Sequence, residues 1–159
     1  MEDRLNLSIA PESFDSPDAR RLVAALDASL GERYTPAQRF GPNLKAEHVE
    51  AGRGTFLVAR DGPEAVGCGA VRLIDTKTAE VKRMYVEPAH RGQGIGMAII
   101  TALEATAKRL GARRLVLETG IYQEASIALY LRAGFSRVDC WGEYASSPTS
   151  VCYEKNLAP

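Results

Sequence analysis

The stretch that decides the fold runs from Val81 to Gly120 and reads VKRMYVEPAHRGQGIGMAIITALEATAKRLGARRLVLETG. Residues Val81–Val86 favour a β-strand, and Pro88 ends it because proline cannot donate to a sheet ladder. A turn with three glycines, Gly92–Gly96, follows and leads into apolar residues at helical spacing. Leu115–Glu118 then predicts a second short strand, so the whole stretch is expected as strand, turn, helix and strand.

The glycine-rich turn indicates an anion-binding site. Free N–H groups at a helix N-terminus point outward, the helix dipole adds partial positive charge, and glycine lets a phosphate approach the backbone. The pyrophosphate group of a cofactor fits such a turn. Three classes of cofactor-binding motif use a turn of this kind.

Two of these classes fit the residues poorly. A P-loop ends in Gly-Lys-Ser/Thr, whereas Gly96 is followed by Met97 and Ala98. The dinucleotide pattern GxGxxG fails at its third glycine, where Met97 or Ile99 stands. Glu118 lies roughly 20 residues further on, where a ribose-binding acid is expected, so a dinucleotide-binding oxidoreductase stays as an alternative.

The third class fits best. Arg91–Gly96 (RGQGIG) matches the Arg/Gln-x-x-Gly-x-Gly/Ala motif of the GCN5-related N-acetyltransferases, the GNAT family, which bind acetyl-coenzyme A (acetyl-CoA). Gln123–Phe135 (QEASIALYLRAGF) resembles the family's second segment, Asn-x-x-Ala-x-x-Leu-Tyr-x-x-x-Gly-Phe. Because both motifs stand in the right order, the chain is identified as a member of the GNAT family.

The resemblance implies an α/β (α+β) fold: a central mixed, mostly antiparallel sheet, flanked by helices and splayed around its central strands. The Asp61-Gly62 pair between two apolar runs predicts a hairpin, so Thr55–Arg60, Ala65–Ile74 and the strand after them are expected as an antiparallel meander. Leu44–Ala51 reads as a short helix, and residues 1–159 as one domain. Further strands are predicted at Leu5–Ala10, Ser136–Trp141 and Ser150–Leu157, and helices at Pro17–Leu30, capped by Asp15 or Ser16, and at Gln123–Arg132.

The resemblance also implies how the cofactor is held. The backbone of the strand before the loop pairs with the pantetheine arm, and the loop amides hold the pyrophosphate. Gln123 stands where the family usually has asparagine, and Ser126 replaces an alanine. The implied cofactor-binding residues are Met84, Tyr85, Val86, Arg91, Gly92, Gln93, Gly94, Ile95, Gly96, Met97, Gln123, Ser126 and Tyr130.

Tyr130 matches the motif tyrosine, whose implied role is general acid toward the coenzyme A thiolate. Taken alone, a tyrosine on an amphipathic helix is more often a core residue. The acceptor ammonium must also lose a proton. Glu80 resembles the base of the family's histone-modifying branch, and Glu118 or a water molecule is the alternative.

The predicted mechanism is direct attack of the amine on acetyl-CoA, with the carbonyl oxygen stabilised by the backbone amide of Val86 or its neighbour. No GxSxG or HExxH pattern is present, no motif supports Cys140 as nucleophile, and no metal is expected. The acceptor is a small-molecule amine or a peptide, and a non-catalytic acyl-CoA-binding module is a further alternative. Candidate acceptor-binding residues are Arg33, Tyr34, Arg72, Glu143 and Tyr144.

Composition favours a soluble cytoplasmic protein. Lys+Arg and Asp+Glu both number 20, so no strong field attracts nucleic acid or an anionic membrane. The N-terminus lacks an apolar segment, and no run approaches a membrane span. Cys68, Cys140 and Cys152 are odd in number and far apart, which predicts reduced thiols and not a disulfide. The family resemblance adds the expectation of a homodimer.

Overall fold

The computed structural model describes residues 5–39, 41 and 43–157. Its strands are β1 (Leu7–Pro11), β2 (Gly54–Asp61), β3 (Glu64–Leu73), β4 (Thr78–Val86), β5 (Arg114–Gly120), β6 (Ser136–Val138) and β7 (Ser150–Asn156). Its α-helices are α1 (Pro17–Gly31), α2 (Ile95–Arg109) and α3 (Glu124–Arg132).

The seven strands form one sheet in the order β1-β2-β3-β4-β5-β7-β6. Only the β4–β5 pair is parallel among the paired strands described, and the β2–β3–β4 meander is antiparallel. This confirms the mixed, mostly antiparallel sheet that the sequence predicts. Since a parallel pair needs a crossover, the glycine-rich turn and α2 connect β4 to β5 across one face.

The helices cover both faces of this sheet. Helix α1 packs Leu22 and Leu26 against Phe56 on one face, whereas α2 packs Ile99 and Leu103 against the other. Ser16 caps α1, because its Oγ accepts from the amide of Ala19 at 3.1 Å, and Pro17 takes the first helical position as predicted. Within the described ranges, none of the helices combines the length and apolarity that crossing a membrane requires.

Strand β4 carries a β-bulge. Its register with β3 shifts between the pairs Cys68↔Tyr85 and Ala70↔Lys82, so β4 contains one extra residue there. Arg83 adopts a left-handed backbone conformation (φ 58°), the single non-glycine case in the described chain. The bulge changes which side chains face α2: before it Val81 packs there, and after it Met84 does.

Strands β4 and β5 stop pairing with each other before either strand ends. Their parallel register runs from Thr78↔Arg114 to Val81↔Leu117, yet β4 continues to Val86 and β5 to Gly120. The sheet therefore opens between its two central strands at their carboxyl ends, which is the splay expected from the family resemblance.

Three expectations need correction. The helix expected at Leu44–Ala51 is only a 3-10 turn, Ala46–Val49, and β6 ends at Val138 instead of reaching Trp141. Cys140 and Cys152 form a disulfide with a Cα–Cα distance of 5.2 Å. The pairing of Val138 with Cys152 brings the two cysteines together, which sequence distance alone does not reveal.

Cys68 remains a free, buried thiol, as expected, and burial raises its pKa to about 12. Part of the irregular stretch predicted at 32–42 falls on residues 40 and 42, which lie outside the described residues.

Candidate active site

The glycine-rich turn has the backbone that an anion site needs. Gly92 and Gly94 both lie in the left-handed region, with φ of 80° and 81°, and Gly94 is the N-cap of α2. Glycine has no side chain to cap the helix, so the N–H groups of its first turn, at Ile95, Gly96 and Met97, are left for a ligand.

Arg91 fixes this turn to the end of β4. Its Nε donates to the carbonyl oxygen of Val86 at 2.9 Å, and its guanidinium lies 5.8 Å from the centre of the Tyr85 ring. A Cβ at Gly96 would lie 3.1 Å from Leu129 Cδ2, so glycine allows α2 to begin close against α3. Arg91 thus ties the loop to the end of β4.

A cavity of about 270 Å³ lies beside the turn, between β4, α2 and α3. Its described lining includes Arg33, Arg91, Arg132 and His90 but no carboxylate. Such a lining suits an anion. Arg33, expected at the acceptor site, lies on this side instead. Arg132 was missed, because an arginine in the last turn of a helix usually has a purely structural interpretation.

A second cavity of about 630 Å³ lies on the α1 side of the opening in the sheet. The residues that line both cavities are Leu26, Met84, Gln123, Ser126 and Tyr130. The two cavities therefore adjoin at the carboxyl end of β4 and at α3.

Tyr130 lies at this junction, only 5% exposed, with its ring 5.9 Å from that of Phe135 in an edge-on contact. Burial, and then the charge of Glu118, raise the pKa of Tyr130 far above its ordinary value. The phenol consequently keeps its proton at neutral pH and is available as a hydrogen-bond donor.

Glu80 is only 1% exposed, and both of its carboxylate oxygens accept hydrogen bonds. Its Oε1 accepts from Nε and Nη2 of Arg72, both at 3.0 Å, and its Oε2 accepts from the Tyr144 hydroxyl at 3.0 Å. The same hydroxyl accepts from Lys82 Nζ at 3.0 Å. Desolvation lowers the pKa of Lys82, and Glu80 partly offsets this effect.

Glu118 directly follows Leu117, the last residue of β5 that pairs with β4. Burial raises the pKa of its carboxyl group, and a hydrogen bond from Ser150 Oγ at 2.6 Å opposes the shift. The raised pKa makes this carboxylate a stronger base than an exposed glutamate. Glu118 and Glu80 line the same cavity.

Of the other predicted site residues, some line one of the two cavities and others lie outside them. The side chain of Ile95 is buried in the core, and Gln93 is exposed outside the lining of the small cavity. Gln123 directs Oε1 at Arg33 Nη1, 3.1 Å away. Of the acceptor candidates, Tyr34 and Tyr144 line the large cavity, whereas Arg72 lies behind Glu80 and Glu143 is exposed outside it.

The backbone of β4 also has an unpaired edge. The amide of Glu87 donates to Val66 of β3 at 2.8 Å, and successive amides of a strand alternate in direction. The N–H of Val86 therefore faces the opening between β4 and β5, on the same side as its carbonyl group.

Comparisons with known proteins agree with this geometry. A family model described as the acetyltransferase (GNAT) family matches residues 20–135. An IAA acetyltransferase of Azospirillum brasilense is 40% identical over 154 residues, which is 96% of this chain and 99% of that protein.

Solved structures share the fold. A Klebsiella pneumoniae protein assigned as an acyl-CoA N-acyltransferase is 35% identical, with a TM-score of 0.82 over 96% of this chain and 99% of that one. A GNAT family acetyltransferase of Elizabethkingia anophelis, crystallised with acetyl-CoA bound, is 22% identical, with a TM-score of 0.69 over 96% and 99%. The chain belongs to the GNAT family of acetyltransferases.

Proposed function

We propose that this enzyme transfers an acetyl group from acetyl-CoA directly to an amine at the junction of the two cavities. The observation that carries the proposal is that the cation-lined cavity and the larger cavity share Tyr130 and Met84. The pyrophosphate of the cofactor would lie on the first turn of α2, and its pantetheine arm would run along the open edge of β4. The small cavity binds the donor, and the large one binds the acceptor.

We assign the role of general base to Glu118 rather than Glu80. Both oxygens of Glu80 already accept hydrogen bonds, and Arg72 balances its charge. Glu118 has only Ser150 as a described hydrogen-bond donor, and its raised pKa brings it nearer to the pH at which the enzyme works. Glu80 then acts as a positioning residue that holds Tyr144 and Lys82. Glu118 removes the ammonium proton directly or through a water molecule.

The transfer needs only one tetrahedral intermediate. The amine nitrogen attacks the thioester carbon, a C–N bond forms, and the C–S bond breaks. The Val86 amide, which faces the opening, donates to the carbonyl oxygen as negative charge develops there. Glu118 holds the first proton, taken from the ammonium. The nitrogen loses its second proton to Tyr130 as the phenol passes its own proton to the departing thiolate, so the products are the amide, the free thiol and a neutral tyrosine.

The acceptor is a small-molecule amine or a peptide. The Azospirillum relative carries the name IAA acetyltransferase, so the compound in that name is among the ligands to test. We further propose that residues 1–159 act as one catalytic domain, in the cytoplasm, and that the enzyme is a homodimer, as the family resemblance implies.

Isothermal titration with acetyl-CoA, coenzyme A, NAD and ATP tests the donor side. Acetyl-CoA and coenzyme A are expected to bind, and Arg132→Met should weaken both, because it removes one of three arginines from the cavity. Arg113→Met, on the connection between α2 and β5, is the matched control. Binding of NAD without binding of coenzyme A would overturn the proposal in favour of a dinucleotide enzyme. Binding of coenzyme A without thiol release from any amine would favour a non-catalytic module.

A further inference from the structure

The bulge in β4 turns two consecutive cations into the larger cavity. Side chains of a regular strand alternate between faces, so neighbours point apart. Lys82 and Arg83 nevertheless both line the cavity on the α1 side, since β4 gains its extra residue between Lys82 and Tyr85. A non-glycine residue at positive φ costs free energy, and such strain is characteristic of functional sites.

Arg83 shares its counter-ion with another arginine. Its Nη1 lies 2.8 Å from Oδ1 of Asp27 on α1, and Nη2 of Arg39 lies 3.0 Å from the same oxygen. Two guanidinium groups therefore face one carboxylate, which leaves one positive charge in surplus. The three residues line the same cavity.

Arg83 is also incompletely satisfied. Its side chain is only 15% exposed, and its Nε is buried without a hydrogen-bond partner among the described residues. A buried cation is costly unless an anion and acceptors surround it. Of the other carboxylates in the cavity, Glu80 is paired with Arg72, and Glu118 accepts from Ser150 Oγ.

Another part of the cavity lining has the complementary chemistry. Glu118 on β5 lies near the junction with the donor cavity, while Arg83 and Arg39 belong to the wall formed by β4, α1 and the turn after α1. A ligand that spans both parts meets guanidinium groups at one end and a proton acceptor at the other. An amine that carries a carboxylate matches both ends.

We propose that the acceptor is an amino carboxylate, whose carboxylate binds Arg83 and Arg39 while its amine faces Glu118; this inference rests on the proposed function. The planar guanidinium forks suit bidentate recognition of a carboxylate. Asp27 holds the guanidinium groups of Arg83 and Arg39 in place when no ligand is bound and so acts as a positioning residue.

Thiol release with three matched acceptor sets tests the inference. The sets are the common L-amino acids with β-alanine and 4-aminobutyrate, the corresponding carboxamides, and the corresponding decarboxylated amines. We expect the best amino carboxylate to exceed its carboxamide by at least about tenfold in kcat/KM. Arg83→Met and Arg39→Met should each raise its KM about 10- to 100-fold, the range for a lost charge-assisted hydrogen bond. Arg20→Met, at an exposed site on α1, is the control.

Two readouts separate this inference from the proposed function. The KM of the carboxamide should not respond to Arg83→Met, whereas a merely structural role would affect both acceptors alike. Calorimetry with coenzyme A should give the same affinity for Arg83→Met as for the wild-type enzyme, which shows that the fold and the donor site are intact.

A binding measurement covers the case in which no acceptor of the three sets is turned over. An amino carboxylate should raise the melting temperature of the coenzyme A complex, and Arg83→Met should abolish the shift. Equal use of amines with and without a carboxylate, or a thermal shift unaffected by Arg83→Met, or no shift with any amino carboxylate, overturns the inference and leaves acetyl transfer standing. Failure of coenzyme A to bind overturns the proposed function itself.

Discussion

The hydroxyl oxygen of Tyr144 lies 3.0 Å from Oε2 of Glu80 and so joins the turn Gly142–Ser146 to β4 inside the larger cavity. Burial, and then the charge of Glu80, raise the pKa of this phenol, which keeps its proton as a donor. Lys82 Nζ donates to the same oxygen. One hydroxyl thus bridges a buried carboxylate and an ammonium group.

Replacing that hydroxyl should destabilise the protein. Tyr144→Phe leaves Oε2 of Glu80 buried without its donor and should lower the free energy of unfolding by about 1–3 kcal/mol. The KM of the acceptor should rise, because the residue lines its cavity, while the affinity for acetyl-CoA should not change. Urea unfolding and steady-state kinetics measure both effects. Tyr122→Phe, on an exposed ring, is the control, and equal stability of Tyr144→Phe and wild type would contradict the bridge.

Glu118→Gln should lower kcat by about 10²- to 10⁴-fold, the usual contribution of a general base. In the wild-type enzyme, kcat/KM should rise with pH through the raised pKa of Glu118, and this limb should be lost in the variant. Glu124→Gln, at an exposed position of α3, controls for the removal of a charge. If kcat and the pH profile of kcat/KM were unchanged in Glu118→Gln, the general base would be Glu80 or a water molecule. A loss of activity in Glu80→Gln would then favour Glu80, and its absence would favour water.

The same raised pKa predicts how stability depends on pH. The folded state binds the Glu118 proton more tightly than the unfolded state, so the stabilisation is complete below the ordinary pKa of a glutamate. It is lost as pH rises through the raised pKa of the folded state. The free energy of unfolding of the wild type relative to Glu118→Gln should therefore fall with rising pH, as chemical denaturation at several pH values would show. A difference independent of pH would refute the raised pKa.

Tyr130→Phe should reduce kcat by about 10²-fold or more while the affinity for acetyl-CoA is kept, because only the donor to the departing thiolate is removed. Rapid mixing with detection of free thiol measures the chemical step. The high pKa of this phenol predicts that its ionisation produces no limb of the pH profile near neutrality. A leaving-group role would be untenable if turnover of a good acceptor stayed unchanged.

The disulfide between Cys140 and Cys152 links the segment that follows β6 to β7 across 12 positions of the chain. Reduction should lower the free energy of unfolding by about 2–3 kcal/mol, as expected for a closed loop of this length. Cys140→Ser should show the lower stability without reductant and no further loss with it. If reductant left the free energy of unfolding of the wild type unchanged, the disulfide would be absent in solution.

The parts of the fold that sequence predicts are those set locally. Ser16 and Pro17 determine where α1 begins, and the glycines before Ile95 determine where α2 begins, through capping chemistry within a few residues. The meander follows from the Asp61-Gly62 turn for the same reason. Among the proposed site residues, Tyr130 and the loop were predicted through motifs whose spacing is preserved.

The remaining features depend on contacts between distant elements. The bulge at Arg83 forms opposite Gly69, where a Cβ would lie 2.7 Å from Met84 Sδ and from Ile99 on α2, so packing across the sheet decides it. No local pattern marks it, and Arg83 and Arg39 were therefore missed. The disulfide likewise depends on the pairing of β6 with β7.

The early separation of β4 from β5 has a consequence for the molecule as a whole. The sheet consists of two half-sheets, one of four strands and one of three, which share only the four register pairs from Thr78↔Arg114 to Val81↔Leu117. A pantetheine arm bound in the opening would contact both half-sheets and hold them together. This link would be supplied by the cofactor and not by the chain. The free energy of unfolding should then rise with the concentration of that metabolite, since binding to the native state alone stabilises it by mass action.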